Sequence, residues 1–240
     1  MCTVIFIPNK NGNYFASLRD ENPMRAKALV PTVISKNNTQ FLSPIDANAG
    51  GTWLGANQYG NVIILLNGAF ENHIKEEKYR KSRGLIVAEL LAATTPVEQW
   101  NLLSMQDVEP YTLIVFSNSK LFQLVWDGNK KHFLELNGSK AYIWSSATLY
   151  NKKAKEIREQ LFKKWIADKP TISRLSLLNF FHSSTNSENG FIINRGENLK
   201  TLSFSFIELL NNKANFSYYD FETNVYTNEQ IEFAETYFDL

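Results

Sequence analysis

Between the turn residues Gly60-Asn61 and Gly68 the chain reads Val62-Ile63-Ile64-Leu65-Leu66, followed by Asn67. Five consecutive apolar residues leave no polar side to turn towards water, and turn residues bound the run at strand length. That pattern belongs to a strand covered on both faces, so the fold must supply a layer above it and a layer below it.

The neighbouring segments read as its partners. Thr52-Trp53-Leu54-Gly55-Ala56-Asn57 precedes it across Gly60-Asn61 as a second strand. At the start of the chain, Thr3-Val4-Ile5-Phe6-Ile7 is rich in β-branched and aromatic residues. Asn13-Tyr14-Phe15-Ala16-Ser17 returns after Asn9-Lys10-Asn11-Gly12, where Asn-Gly offers the positive φ angles of a tight reversal. Tyr111–Phe116 and Leu121–Trp126 form another pair around Asn118-Ser119-Lys120, and Thr201–Ile207 and Asn215–Phe221 return to strand near the end.

Helices fall between these groups. Ser82 is placed to cap a helix through Leu85, Val87, Leu90 and Leu91, and Thr95-Pro96-Val97-Glu98 combines a capping box with proline at the first helical position. From Asn151 to Asp168, Ala154, Ile157, Leu161 and Trp165 recur at helical spacing among charges, which predicts an amphipathic helix. A further helix is predicted over Thr171–Phe181, and polar Ser183–Asn189 as a loop. Strands in runs and helices in blocks predict an α+β fold with largely antiparallel sheets. The absence of a repeat or linker predicts one domain over residues 1–240.

Composition narrows the function classes. Twenty-five Lys and Arg against 24 Asp and Glu give no electrostatic footprint for nucleic acid or an anionic membrane. The basic runs Lys75–Arg83 and Lys152–Lys164 are interrupted by acidic residues and read as solvated helix faces. The apolar start Val4–Ile7 stops at Pro8, short of a secretory core, and no stretch approaches a membrane span. A cytoplasmic protein is expected, and the single cysteine suits a reducing compartment. His73, His132 and His182 are isolated, so neither a metal site nor a cofactor is predicted.

The chemistry-bearing feature is Cys2. Removal of Met1 would leave a residue carrying a thiol and a free α-amine. With a pKa of about 7.7–8.0, that amine can act as base for its own side chain. Arg19-Asp20-Glu21 ends the returning strand of the first hairpin, so antiparallel pairing brings it back beside residue 2. Arginine there would hold a thiolate or a carbonyl oxygen, and a carboxylate would orient the ammonium. Asn67, at a strand end beside Gly68, is placed to donate to an oxyanion. Gly50-Gly51-Thr52-Trp53-Leu54-Gly55 lacks the helix-opening context of a phosphate loop. Trp53, Phe70 and Trp144 read first as core aromatics, with a pocket lining as the second option.

Met1-Cys2-Thr3-Val4, Leu18-Arg19-Asp20-Glu21 and Gly51-Thr52-Trp53-Leu54-Gly55-Ala56-Asn57, in that order, resemble the NRDE family, also called the transport and Golgi organisation protein 2 family. Ser82-Arg83-Gly84-Leu85 and Tyr111–Val115 extend the likeness across most of the first 150 residues. The family is similar to N-terminal-nucleophile hydrolases of the choloylglycine hydrolase and penicillin V acylase kind. The resemblance implies a four-layer αββα sandwich, with Cys2 as nucleophile, Arg19 and Asp20 or Glu21 around it, and Asn67 in an oxyanion hole. It also implies a distal cation at Arg195 or Lys200. The sequence departs from the pattern at Leu18, where the family has asparagine, and at Ser146, where a second active-site asparagine is expected. The implied activity is cleavage of a non-peptide C–N bond in a small acylated substrate. The alternative is a binding or trafficking protein for a hydrophobic ligand such as haem or a lipid, held in an apolar pocket.

Overall fold

A computed structural model describes residues 3–168, 170–184 and 189–234. The chain opens with β1 (Thr3–Asn9) and β2 (Gly12–Glu21), followed by β3 (Leu29–Lys36), β4 (Thr39–Ile45), β5 (Leu54–Asn57) and β6 (Val62–Asn67). Helices α1 (Arg83–Leu91) and α2 (Pro96–Leu102) come next, then β7 (Tyr111–Ser117), β8 (Lys120–Trp126), β9 (Lys131–Leu136) and β10 (Tyr142–Ser145). Helices α3 (Lys152–Ala167) and α4 (Arg174–His182) precede β11 (Lys200–Leu209), β12 (Lys213–Asp220) and β13 (Tyr226–Glu232). No helix among the described residues is long and apolar enough to cross a membrane.

The strands form two antiparallel sheets, ordered β10-β1-β2-β11-β12-β13 and β3-β4-β5-β6-β7-β8-β9. Side-chain alternation divides the first sheet between two cores. Val4, Phe6 and Phe15 point at the second sheet, where Phe6 and Phe15 meet Phe116 at 6.4 and 5.9 Å between ring centroids. Ile5, Ile7, Ala16 and Leu18 point the other way, onto Phe162 of α3 and Leu177, Phe180 and Phe181 of α4. Ile86, Val87, Leu90 and Leu91 of α1 cover the outer face of the second sheet. The result is the αββα layering expected, with Val62–Leu66 buried at its centre.

Several local readings need correction. Of Asn11-Gly12 only the glycine takes a positive φ, and it is needed because a Cβ there would lie 2.2 Å from the Leu209 carbonyl oxygen of the neighbouring strand. Thr95 makes no side-chain capping bond, although Pro96 does open α2. In α3 the inward stripe is Ala154, Arg158 and Phe162, while Ile157 and Leu161 are 48% and 39% exposed. The basic run Lys75–Arg83 is irregular chain up to the first residue of α1, not a helix face. The hairpin β3–β4 turns on Asn37-Asn38, both at positive φ, as β7–β8 does on Asn118-Ser119.

Candidate active site

The two central strands of the first sheet set the geometry. Thr3 pairs with Leu18, so Arg19 and Asp20 lie just past the first described residue of β1. Cys2 itself lies outside the described residues. On the far side of β2, Asp20 pairs with Thr201 and Arg19 with Ser203, and the intervening Leu202 forms a bulge. Alternation sends Arg19 and Asp20 to opposite faces of the sheet.

Arg19, 5% exposed, lies on the inter-sheet side with its guanidinium carbon 4.5 Å above the Trp53 ring. Its Nη2 donates to Asp46 Oδ2 at 3.0 Å. Arg25 grips the same carboxylate as a fork, Nε to Oδ2 at 2.8 Å and Nη2 to Oδ1 at 2.9 Å. The Asn48 and Ala49 amides also donate to Oδ1. Burial alone would raise the Asp46 pKa, but the Arg25 hydrogen bonds, the Ala49 amide and the two guanidinium charges hold it below the ordinary carboxylate value. Two guanidiniums share one carboxylate, so the trio keeps one positive charge in excess.

Asp20, 2% exposed, faces the helical layer. Thr201 Oγ1 donates to its Oδ1 at 2.6 Å and the Tyr150 hydroxyl to its Oδ2 at 3.2 Å. Behind Tyr150 lies Arg158, 1% exposed, with its guanidinium carbon 4.0 Å from the Tyr150 ring and 4.6 Å from the Phe191 ring. Arg158 donates to Ser145 Oγ at 2.8 Å, to the Gly190 carbonyl and to Thr3 Oγ1.

A cavity of about 540 Å³ opens on the Arg19 side. Arg19, Glu21, Trp53 and Asn67 line it, together with Arg25, Asp46 and the segment from Asn72 to Gly84. That segment is held down by Glu109, which meets Arg83 at 3.0 Å and His73 at 3.4 Å. Gly51 allows the start of α1 to close the wall, since a Cβ on it would lie 2.3 Å from the Gly84 carbonyl carbon. Five cationic side chains (Arg19, Arg25, Lys75, Lys81, Arg83) face three carboxylates (Glu21, Asp46, Glu109) around the space. Trp53 Nε1 and His73 Nδ1 are buried there without a hydrogen-bond partner among the described residues.

The expected site residues therefore divide. Arg19, Glu21, Trp53 and Asn67 share the large cavity. Asp20 is on the other face of β2. Ser146 donates to the Asn67 carbonyl at 3.1 Å and lines a smaller cavity of about 200 Å³. Arg195 donates to the Leu149 carbonyl at 3.4 Å and flanks Tyr150 at 5.7 Å. Asp46, Arg25, Tyr150, Thr201 and Arg158 were not singled out from sequence. Of these only Arg158 carried a readable signal, the four-residue spacing Ala154-Arg158-Phe162.

The family model of Transport and Golgi organisation 2 matches residues 1–231. The chain belongs to the Transport and Golgi organisation 2 family. No curated protein matches this family member in sequence. Solved structures similar to it include a mutant of the conjugated bile acid hydrolase from Clostridium perfringens, at 12% identity, covering 97% of this chain and 92% of that one, with a TM-score of 0.61. The Caenorhabditis elegans ortholog of N-acylethanolamine-hydrolyzing acid amidase is similar at 12% identity, covering 86% of this chain and 92% of that one, with a TM-score of 0.57. The Transport and Golgi organisation 2 family member shares the fold of both.

Proposed function

We propose that the chain is an N-terminal cysteine amidohydrolase that cleaves a non-peptide C–N bond in a small acylated substrate. The observation that carries this reading is the β1–β2 register. Thr3 faces Leu18, so Arg19 is the β2 residue one step beyond the described start of β1. The Thr3 side chain is turned to the helical layer, where it meets Arg158. The cavity that Arg19, Trp53 and Asn67 line opens on the opposite face of this sheet, and the proposed nucleophile acts there. The likeness to amide-cleaving enzymes of this fold supports the reading by analogy.

In this mechanism the freed Cys2 amine takes the thiol proton, and the excess positive charge of the Arg19–Arg25–Asp46 trio favours the thiolate. Sulfur attacks the carbonyl carbon, and the Asn67 amide donates to the oxygen as negative charge develops there. The ammonium returns the proton to the leaving nitrogen, the C–N bond breaks and a thioester remains. Water then adds to the thioester carbonyl, the C–S bond breaks, and the acid and the free thiol result. The charged cavity lining favours a substrate with polar groups over a purely apolar ligand. For the same reason we place hydrolysis ahead of haem or lipid carriage.

The test is mass spectrometry of the purified chain after brief exposure to activated acyl amides. The expected product has lost Met1 and carries one acyl group on Cys2, which Cys2→Ala abolishes. A chain that retains Met1, or acylation that survives Cys2→Ala, would overturn the reading.

A further inference from the structure

The side chain that the nucleophile reading leaves unused is the most deeply placed charge on the helical side of the site. Arg158 sits in the middle of a helix whose neighbouring charges are solvated, yet it is 1% exposed. A buried guanidinium is costly to desolvate, so one that is retained in this way is held for its geometry. Its planar fork reaches three separate pieces of chain. Nε reaches Ser145 at the end of β10, Nη1 reaches the Asn189 and Gly190 carbonyls, and Nη2 reaches Thr3 at the start of β1. Its face is packed between the Tyr150 and Phe191 rings.

Two of these contacts lead to the reacting residue. Thr3 is the residue that follows Cys2, and β10 pairs with β1 through Thr3 and Ser145, so Arg158 pins both strands where the chain begins. Tyr150, under the same guanidinium, donates its hydroxyl to Asp20. Arg195 approaches the Tyr150 ring as well, and cations against a phenol ring strengthen its hydroxyl as a donor. One side chain therefore fixes both the strand start and the orientation of the nearest buried carboxylate.

We infer that Arg158 is the positioning residue of the N-terminal nucleophile, setting the Cys2 amine and thiol through Thr3 and the Asp20 carboxylate through Tyr150. The inference rests on the proposed role of Cys2. Arg158 touches no substrate, and its work is the geometry of the groups that do. Lysine keeps the charge but cannot make the fork, so Arg158→Lys is a severe change at this position despite its small chemical difference.

The experiment is the pH dependence of Cys2 alkylation by iodoacetamide, read by intact mass, with folding followed by circular dichroism. Arg158→Lys and Thr3→Val are each expected to slow alkylation at neutral pH about tenfold, because small misplacements of reacting groups carry large rate costs. Tyr150→Phe is expected to move the apparent pKa of the reaction by about half a unit through its lost bond to Asp20. Thr3→Ser keeps the acceptor hydroxyl and should label within about twofold of the unchanged protein, since the same charge-assisted bond remains. The double variant Arg158→Lys with Thr3→Val should be little slower than either single one, since both remove one interaction. Thr3→Val leaves the arginine in place, so it answers even if Arg158→Lys does not fold. Wild-type-like rates and midpoints in a folded Thr3→Val would overturn the inference while leaving Cys2 as nucleophile. An unchanged protein that alkylates no faster than free cysteine would overturn both.

Discussion

Arg19 and Asp20 are joined by one peptide bond and live in different environments. Arg19 borders an open, charged cavity and shares Asp46 with a second, partly exposed guanidinium. Asp20 is sealed under the helical layer, where hydroxyls of Thr201 and Tyr150 donate to it. The contrast teaches what strand alternation does to a run of charged residues. It splits one sequence motif between a wall that borders the open cavity and a wall sealed beneath the helical layer. The first wall tolerates adjustment because its charges are shared and partly hydrated. The second does not, because any hydroxyl left without its carboxylate stays buried.

The strongest way to break this comparison is Asp20→Ala, which strands two buried hydroxyls at once. It should cost about 3 kcal/mol of folding stability, measured by urea denaturation. A loss below about 1 kcal/mol would mean that the sealed wall is no more demanding than the open one. Asp46→Asn comes next. It leaves Arg19 and Arg25 without their shared charge, and a loss of about 2 kcal/mol is expected. At the same time the more cationic cavity should speed Cys2 alkylation. Slower alkylation in folded Asp46→Asn would show that Arg19 needs its carboxylate for placement.

Acid sharpens the comparison further. The Asp46 pKa is lower folded than unfolded, so its contribution to stability is complete above the ordinary carboxylate value of 3.8 and is lost as pH falls through the depressed folded value. The unchanged protein should therefore lose stability on acidification below about pH 4 more steeply than Asp46→Asn does. Equal slopes would mean that Asp46 is not a charged hub. The smallest effect is expected at Arg25, whose side chain is 31% exposed. Arg25→Gln should cost about 1 kcal/mol or less in the same denaturation assay. A loss equal to that of Asp46→Asn would shift the hub from the carboxylate to this one arginine.

What the sequence made legible follows the same divide. The covered strand Val62–Leu66 and the hairpin placing Arg19-Asp20-Glu21 near the chain start were readable because local apolar patterning dictates them. Strands β3, β9 and β13 were not, because they lie at sheet edges and carry mostly exposed, mixed residues. Asp46 could not be read because its partners are 21 and 27 residues away and no local period links them. Arg158 was hidden by its own chemistry. Its position in the buried stripe with Ala154 and Phe162 is legible only if an arginine is admitted as a core residue.

The central claim is that residue 2 is an activated nucleophile. Chemistry favours its test, since Cys2 is the single cysteine of the chain and any thiol adduct reports on it alone. The direct measurement is the rate of iodoacetamide alkylation against pH, on protein whose intact mass establishes loss of Met1. The account predicts one adduct, absent in Cys2→Ala, formed faster at neutral pH than with free cysteine and with a midpoint below about 8.5. Retained Met1, or a rate and midpoint equal to those of free cysteine, would contradict it.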